Sequence, residues 1–224
     1  GLFKKRFITL SELAPALRKQ IRYRVSGSEN ADDIAEGREQ ALAIVKGKSV
    51  EELKQACREI VDNRMLQKSY ADTIELASMH LAAGQQVWLV SATPVQIGQA
   101  LAETLGFTGA LGTVAEEEDG KFTGRLVGDI LHGPGKKHAV AALAALQQLD
   151  LSKCTAYSDS VNDLPMLNMV GSPVAVNPDR ALRKHAKAQG WAVRDYRSMR
   201  RVVRAGVVPA VLAAAGLWWW RRRR

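Results

Sequence analysis

Over the first 83 residues apolar positions recur every three to four, the period of amphipathic helices, and no alternating run reads as a strand. Ser11 is placed to cap a helix running to about Val25, which Ser26-Gly27-Ser28 ends, and a second amphipathic run spans about Asp32 to Lys46. Ser49 followed by Glu52 forms a capping box that opens a third helix. A fourth is predicted from about Tyr70 to Ala83, stopping at Gly84.

The period then changes. Val87 to Val90 is a short apolar run closed by Ser91-Ala92-Thr93-Pro94, with an apolar helix following to Leu105: a strand, a loop and a helix. Gly109 to Ile130 alternates weakly around Asp119-Gly120, which predicts a β-hairpin with a tight turn. A helix fits Lys136 to Leu149. Cys154 to Tyr157 reads as a second strand, followed by a short helix containing Leu164 and Leu167, and Val174 to Val176 as a third. A helix over about Pro178 to Ala188 and a strand at Trp191 to Val193 complete an alternation that implies a parallel sheet covered by helices. No internal repeat interrupts it.

The organisation that follows is a helical segment over 1–83, an α/β domain over 84–198 and a basic and apolar tail over 199–224. Charge adds to this picture only at the ends. The net charge is +9, but the excess lies in the first 24 positions and from Arg194 onward, a distribution that favours basic ends over a nucleic-acid-binding core. Cys57 and Cys154 lie far apart without metal-ligand spacing, and His80, His132, His138 and His185 are scattered; neither a disulfide framework nor a zinc site is expected. Leu2 to Arg6 lacks the apolar stretch of a secretory signal, and Gly1 reads as a cut in a longer chain.

In parallel α/β sheets ligands bind beyond the carboxyl ends of the strands, and the residues there are Ser91, Asp159 and Asp163. The Ser91 hydroxyl and the backbone N–H groups of Ser91, Ala92 and Thr93, ahead of a helix, suit phosphate oxygens. Asp159 and Asp163, with Ser160 and Asn162 between them, offer the hard oxygens that magnesium prefers. Lys136 follows Gly133-Pro134-Gly135, a loop flexible enough to bring an ammonium to the strand ends. Taken singly, each has a bland reading as a strand-end hydroxyl, a solvated lysine or a helix cap. Their order along the chain describes a phosphoryl-transfer site, in which cation and lysine neutralise the transferring group while hydroxyl and amides orient it.

That ordered set resembles the haloacid dehalogenase superfamily, in the branch of phosphoserine phosphatases with a helical cap, and the resemblance runs to about Tyr196. Val87 to Ser91 is similar to the family's second motif and Gly135-Lys136 to its third. Tyr157-Ser158-Asp159-Ser160-Val161-Asn162-Asp163 resembles the fourth, with Ser158 and Ser160 where the family prefers glycine. The resemblance implies a Rossmann-like parallel-sheet core with an α-helical cap, Mg2+ as cofactor and a small phosphorylated substrate. It implies Ser91 and Lys136 as catalytic groups, Ala92, Thr93 and Asn162 at the substrate, Asp159 as metal ligand, and Asp163 supporting the metal or holding Lys136. The family's first motif, an Asp-x-Asp-x-Thr strand end carrying the nucleophile, has no match here; Asp32-Asp33 sits in a helical run. The expectation is therefore a phosphatase fragment whose nucleophile lies upstream, inactive as it stands. The cap arginine that grips a phosphoserine carboxylate aligns with Ala41, with Arg38 one turn away, which leaves the substrate open.

From Ala205 to Trp220 no residue is charged, and arginines border the run on both sides. At ~1.5 Å per residue a helix of that length reaches roughly 24 Å, short of a ~30 Å hydrocarbon core. Two readings stand for Ala205 to Arg224: membrane contact as a helix perpendicular to the bilayer with Trp218 to Trp220 at the interface and the arginines snorkelling, or a terminal helix whose Ala-rich face packs on the domain or pairs with another chain. The phosphatase reading keeps the catalytic domain in the cytoplasm. The contrasting reading is a non-catalytic binding module of the same fold, recruited to a membrane or partner by this tail.

Overall fold

The computed structural model describes residues 39, 42–61 and 71–196. The helix predicted from Ser11, most of the Asp32 to Lys46 run and the tail lie outside the described residues, as do Asp32, Asp33, Arg38 and Ala41. The chain forms two compact units, residues 1–139 and 140–224.

In the first unit α1 (Val50–Ile60) starts where Ser49 accepts a hydrogen bond from the Glu52 amide, the capping half of the predicted box. Glu51 and Glu52 complement the positive end of the helix dipole, and Arg58 the negative end. α2 (Ala71–Ala82) follows, then β1 (Trp88–Pro94), α3 (Val95–Leu105) and β2 (Gly109–Thr113). β1 and β2 pair in parallel, Trp88 opposite Gly109 and Val90 opposite Leu111.

The hairpin is shorter than its sequence pattern suggested. It joins β3 (Ala115–Glu118) to β4 (Lys121–Leu126), and Gly109 to Thr113 belongs to the parallel pair instead. Asp119 and Gly120 both take positive φ, 49° and 73°, which a two-residue hairpin turn requires. Residues 47–50 are laced to the hairpin: the Gly47 amide donates to Phe122, the Phe122 amide to Lys48 and the Val50 amide to Gly120. α1 thereby shares one apolar core with α3 and β4, comprising Val50, Leu53, Cys57, Val61, Ala100 and Phe122. The two compact units part at 139/140, within α4 (Pro134–Leu146).

The second unit is a parallel three-stranded sheet, β5 (Thr155–Ser158), β6 (Ser172–Val176) and β7 (Ala192–Arg194), in the order 5-6-7. Short α5 (Leu164–Leu167) and α6 (Arg180–Ala188) connect the strands. Central β6 buries Val174, Ala175 and Val176, and α6 buries Leu182 and Ala186. Among the described residues β1 pairs only with β2, and β5 only with β6. Each thus has one side without a strand partner, and neither contributes a fully buried residue.

Candidate active site

β1 carries the chain to Ser91, Ala92 and Thr93, and α3 begins at Val95 with Pro94 as its N-cap. Pro94 offers no side-chain acceptor, and the first turn of α3 holds no acidic residue. Among the described residues the positive end of this helix is thus left without a side-chain cap, open to a ligand or to solvent. The amides of the loop differ from expectation. Thr93 donates its amide to Ser91 Oγ at 3.2 Å and its hydroxyl to the same atom at 3.0 Å. The Thr93 N–H is thus spent locally, and Ser91, accepting twice, keeps its own hydroxyl hydrogen for an incoming oxygen.

Two residues without a sequence signal hold this loop. Gly112, at the end of β2, lies so close to the start of α3 that a Cβ there would sit 2.5 Å from Val95 Cα and 2.9 Å from the Thr93 oxygen. Thr113 donates its hydroxyl to the Ala92 carbonyl at 2.9 Å and accepts from the Leu131 amide at 3.2 Å.

Lys136 does not hang on a flexible loop. α4 begins at Pro134, whose missing N–H costs nothing in a first turn, so Lys136 is its third residue and half-buried. Gly133 is buried at φ 49°, and Gly135 packs against the chain before it: a Cβ there would lie 2.4 Å from the Ile130 oxygen. The lysine is delivered by a tight, fixed turn. Beside it a cleft of about 190 Å³ is lined by Gly112, Val114, Asp129, Leu131, Gly135 and His138. Asp129 thus faces the cleft, whereas Arg125 pairs with Glu116 at 2.6 Å. The bond from Thr123 and the Arg125 charge hold the Glu116 carboxyl below its ordinary pKa.

In the second unit β5 ends at Ser158 and the chain turns through Asp159 to a 3-10 turn at Val161–Asp163, capped by Ser160. Asp163 is buried, and Ser158 donates its hydroxyl to Asp163 Oδ2 at 2.7 Å while accepting from the Ser160 amide at 3.1 Å. This accounts for serine in place of the family's glycine: its hydroxyl satisfies a buried carboxylate. Asp179, which carries no catalytic motif signal, bolts the loop to α6. Its carboxylate accepts from the Val161 amide at 2.8 Å and, as N-cap, from the Leu182 amide at 2.7 Å, while its own amide donates to the Asp159 carbonyl. Asp159 and Asn162 are exposed, and among the described residues no donor engages the Asp159 carboxylate. Burial raises the pKa of Tyr157, partly opposed by Arg194.

No cluster of three or more His, Cys, Asp or Glu suited to a metal occurs among the described residues. Magnesium needs less from a protein: it binds through one or two carboxylates and completes its shell with water and substrate phosphate. An exposed, donor-free Asp159 on a loop fixed by Asp163 and Asp179 fits that demand.

A profile of the haloacid dehalogenase-like hydrolases matches residues 2–168. The chain belongs to the haloacid dehalogenase-like hydrolase family. It is 51% identical over 217 residues to phosphoserine phosphatase SerB1 of Mycobacterium tuberculosis, covering 96% of this chain and 70% of that protein. A Bordetella pertussis protein of unknown function superimposes with a TM-score of 0.69 at 31% identity, covering 81% of this chain and 83% of that one. A substrate-bound phosphoserine phosphatase does so with a TM-score of 0.54 at 20% identity, covering 85% and 84%. The α/β architecture is therefore the Rossmann-like fold of this family, and the protein is a phosphatase of the haloacid dehalogenase type.

Proposed function

We propose that the complete protein is a magnesium-dependent phosphomonoesterase acting on a small phosphorylated metabolite or lipid head group. The observation that carries the reading is the loop after β5, which holds Asp159 exposed and without a donor on a frame of Asp163, Ser158 and Asp179. Asp159 and Asp163 are assigned the metal, which when bound supplies positive charge to the phosphoryl oxygens. Ser91 donates its hydroxyl to a phosphoryl oxygen, the uncapped start of α3 adds its partial charge, and Lys136 neutralises charge as the group transfers. Ala92, Thr93 and Asn162 border the substrate. An aspartate upstream attacks phosphorus, the ester oxygen leaves with a proton from a second carboxylic acid, and water then hydrolyses the aspartyl-phosphate. Among the described residues β1 has a strand neighbour on one side only, which supports a further strand as the carrier of that aspartate. The N-terminal segment, residues 1–83, is assigned the role of cap domain. The name of the mycobacterial relative supports a phosphoserine-like substrate class.

The test is phosphate release by the complete protein from a broad panel of phosphomonoesters. Magnesium-dependent release that Asp159→Ala abolishes is the expected result; no release from any ester overturns the proposal.

The tail adds a second element, contact with an anionic membrane surface from the cytoplasmic side. From Arg180 onward the chain carries thirteen Lys and Arg against one Asp, and Arg180, Lys184 and Lys187 form an exposed stripe on α6 at i, i+4 and i+7. The chain leading to the tail starts beside this helix, where Asp195 pairs with Arg183 and the Tyr196 amide donates to Asn177 at 2.8 Å. No described helix is long and apolar enough to cross a membrane, and Ala205 to Arg224 lie outside the described residues. Salt-sensitive sedimentation with phosphatidylglycerol vesicles but not phosphatidylcholine vesicles is expected; equal behaviour with both removes this element.

A further inference from the structure

We infer that Thr113 is a positioning residue whose hydroxyl fixes the separation between the phosphate-facing loop Ser91 to Thr93 and the turn that delivers Lys136. The inference rests on the phosphatase reading above and adds a residue to that site.

A threonine hydroxyl has one hydrogen to give and lone pairs to accept with, and both capacities are used here. The hydrogen goes to the Ala92 carbonyl at 2.9 Å, and the Leu131 amide donates to the oxygen at 3.2 Å. Both partners are main-chain atoms, so the two bonds fix backbone rather than mobile side chains. Ala92 stands between Ser91 and Thr93. Leu131 follows Ile130, whose carbonyl accepts from the His132 amide at 2.7 Å and is the atom against which Gly135 packs. Lys136 comes next in the chain. Thr113 itself cannot drift, because it stands opposite Pro94 in the β1–β2 register and follows Gly112, which abuts Val95. One hydroxyl thus joins the element that orients the phosphoryl group to the element that neutralises it.

Thr113→Val keeps the shape and the β-branch at this strand position and removes both bonds. Thr113→Ser keeps both bonds. Because the lysine acts on charge that develops during transfer, its displacement lowers turnover more than ground-state binding.

The experiment measures kcat and KM of the complete protein with magnesium for parent, T113V and T113S, each also in a Lys136→Ala background. T113V is expected to lower kcat about 10- to 100-fold with KM within about threefold, and T113S to stay within about threefold of the parent. On the K136A background T113V is expected to cost less than about threefold, since the group it positions is gone. A T113V kcat within about twofold of the parent overturns the inference, as does the same loss with and without Lys136, or a T113S as impaired as T113V. Should T113V fail to fold by circular dichroism, Thr113→Cys, a weak donor and acceptor, is held to the same thresholds. If the parent itself releases no phosphate, it is the phosphatase reading that fails, and Thr113's part in it falls with it.

Discussion

Gly135→Ala is a sharp probe of the turn that delivers Lys136. In an ordinary helix this change stabilises by up to about 1 kcal/mol, because alanine forfeits less backbone freedom. At Gly135 the new methyl would stand 2.4 Å from the Ile130 oxygen and 3.4 Å from its carbon. An unstrained carbon–oxygen approach is about 3.3 Å, so the first turn of α4 or the chain at Ile130 must move by about 1 Å. Overpacking of this kind costs about 1–3 kcal/mol, which outweighs the helix-propensity gain or cancels it. Lys136 is the adjacent residue and takes the shift undiminished. A displacement of about 1 Å in a positioned group costs up to about 100-fold in rate. Urea melts of the variant together with phosphate release by the complete protein measure both terms. The expected result is unchanged or reduced stability with turnover down by about 10- to 100-fold. A stabilised variant with unaltered turnover would refute the tight-turn account of Lys136.

Other outcomes follow from the packing and from one titrating group. Burial pushes the Cys57 thiol up to about 11 from 9.0, so the folded protein resists its ionisation. Below about pH 9 the thiol is neutral whether folded or unfolded; between about 9 and 11 only the unfolded chain loses the proton, so stability falls across that window, by up to about 3 kcal/mol. Urea titrations across it should show a flatter alkaline limb in Cys57→Ala than in the parent, and identical limbs would contradict the burial argument. Leu182, fully buried where α6 meets its sheet, should cost about 2–5 kcal/mol as Leu182→Ala in a chemical melt. Gly171→Ala places a methyl 1.8 Å from the Ser152 oxygen and should abolish folding of this unit, read as loss of cooperative melting.

The elements were legible where local chemistry decides them. Ser49 and Glu52 marked the start of α1, Asp119-Gly120 the hairpin turn, and the 2-to-3.6 alternation after Gly84 the parallel α/β pattern. Gly109 to Thr113 was absorbed into the hairpin because its small residues carry little strand signal; its partner β1 lies some twenty residues earlier, and that pairing is nonlocal. Candidate site residues were legible as types at strand ends, but what holds them was not. Gly112 and Thr113 are ordinary residues until Val95, Ala92 and Leu131 are brought against them. Asp179 could be read as a helix cap, yet its bond to Val161 crosses eighteen positions of sequence. Reading Gly133-Pro134-Gly135 as a flexible loop failed because glycine serves there for close approach, a property of its neighbours in space.

The central claim is that Ser91, Lys136, Asp159 and Asp163 serve a single reaction in which anion and cation are held together. Isothermal titration of the complete protein with inorganic phosphate, with and without magnesium, tests this most directly, since any factor by which the cation changes phosphate affinity must equal the factor by which phosphate changes the affinity for the cation. Magnesium should tighten phosphate binding by about tenfold or more in the parent, and Asp159→Ala should erase that gain while Ser91→Ala weakens phosphate alone. Phosphate binding that ignores magnesium, or that Asp159→Ala leaves unchanged in its presence, would contradict the account.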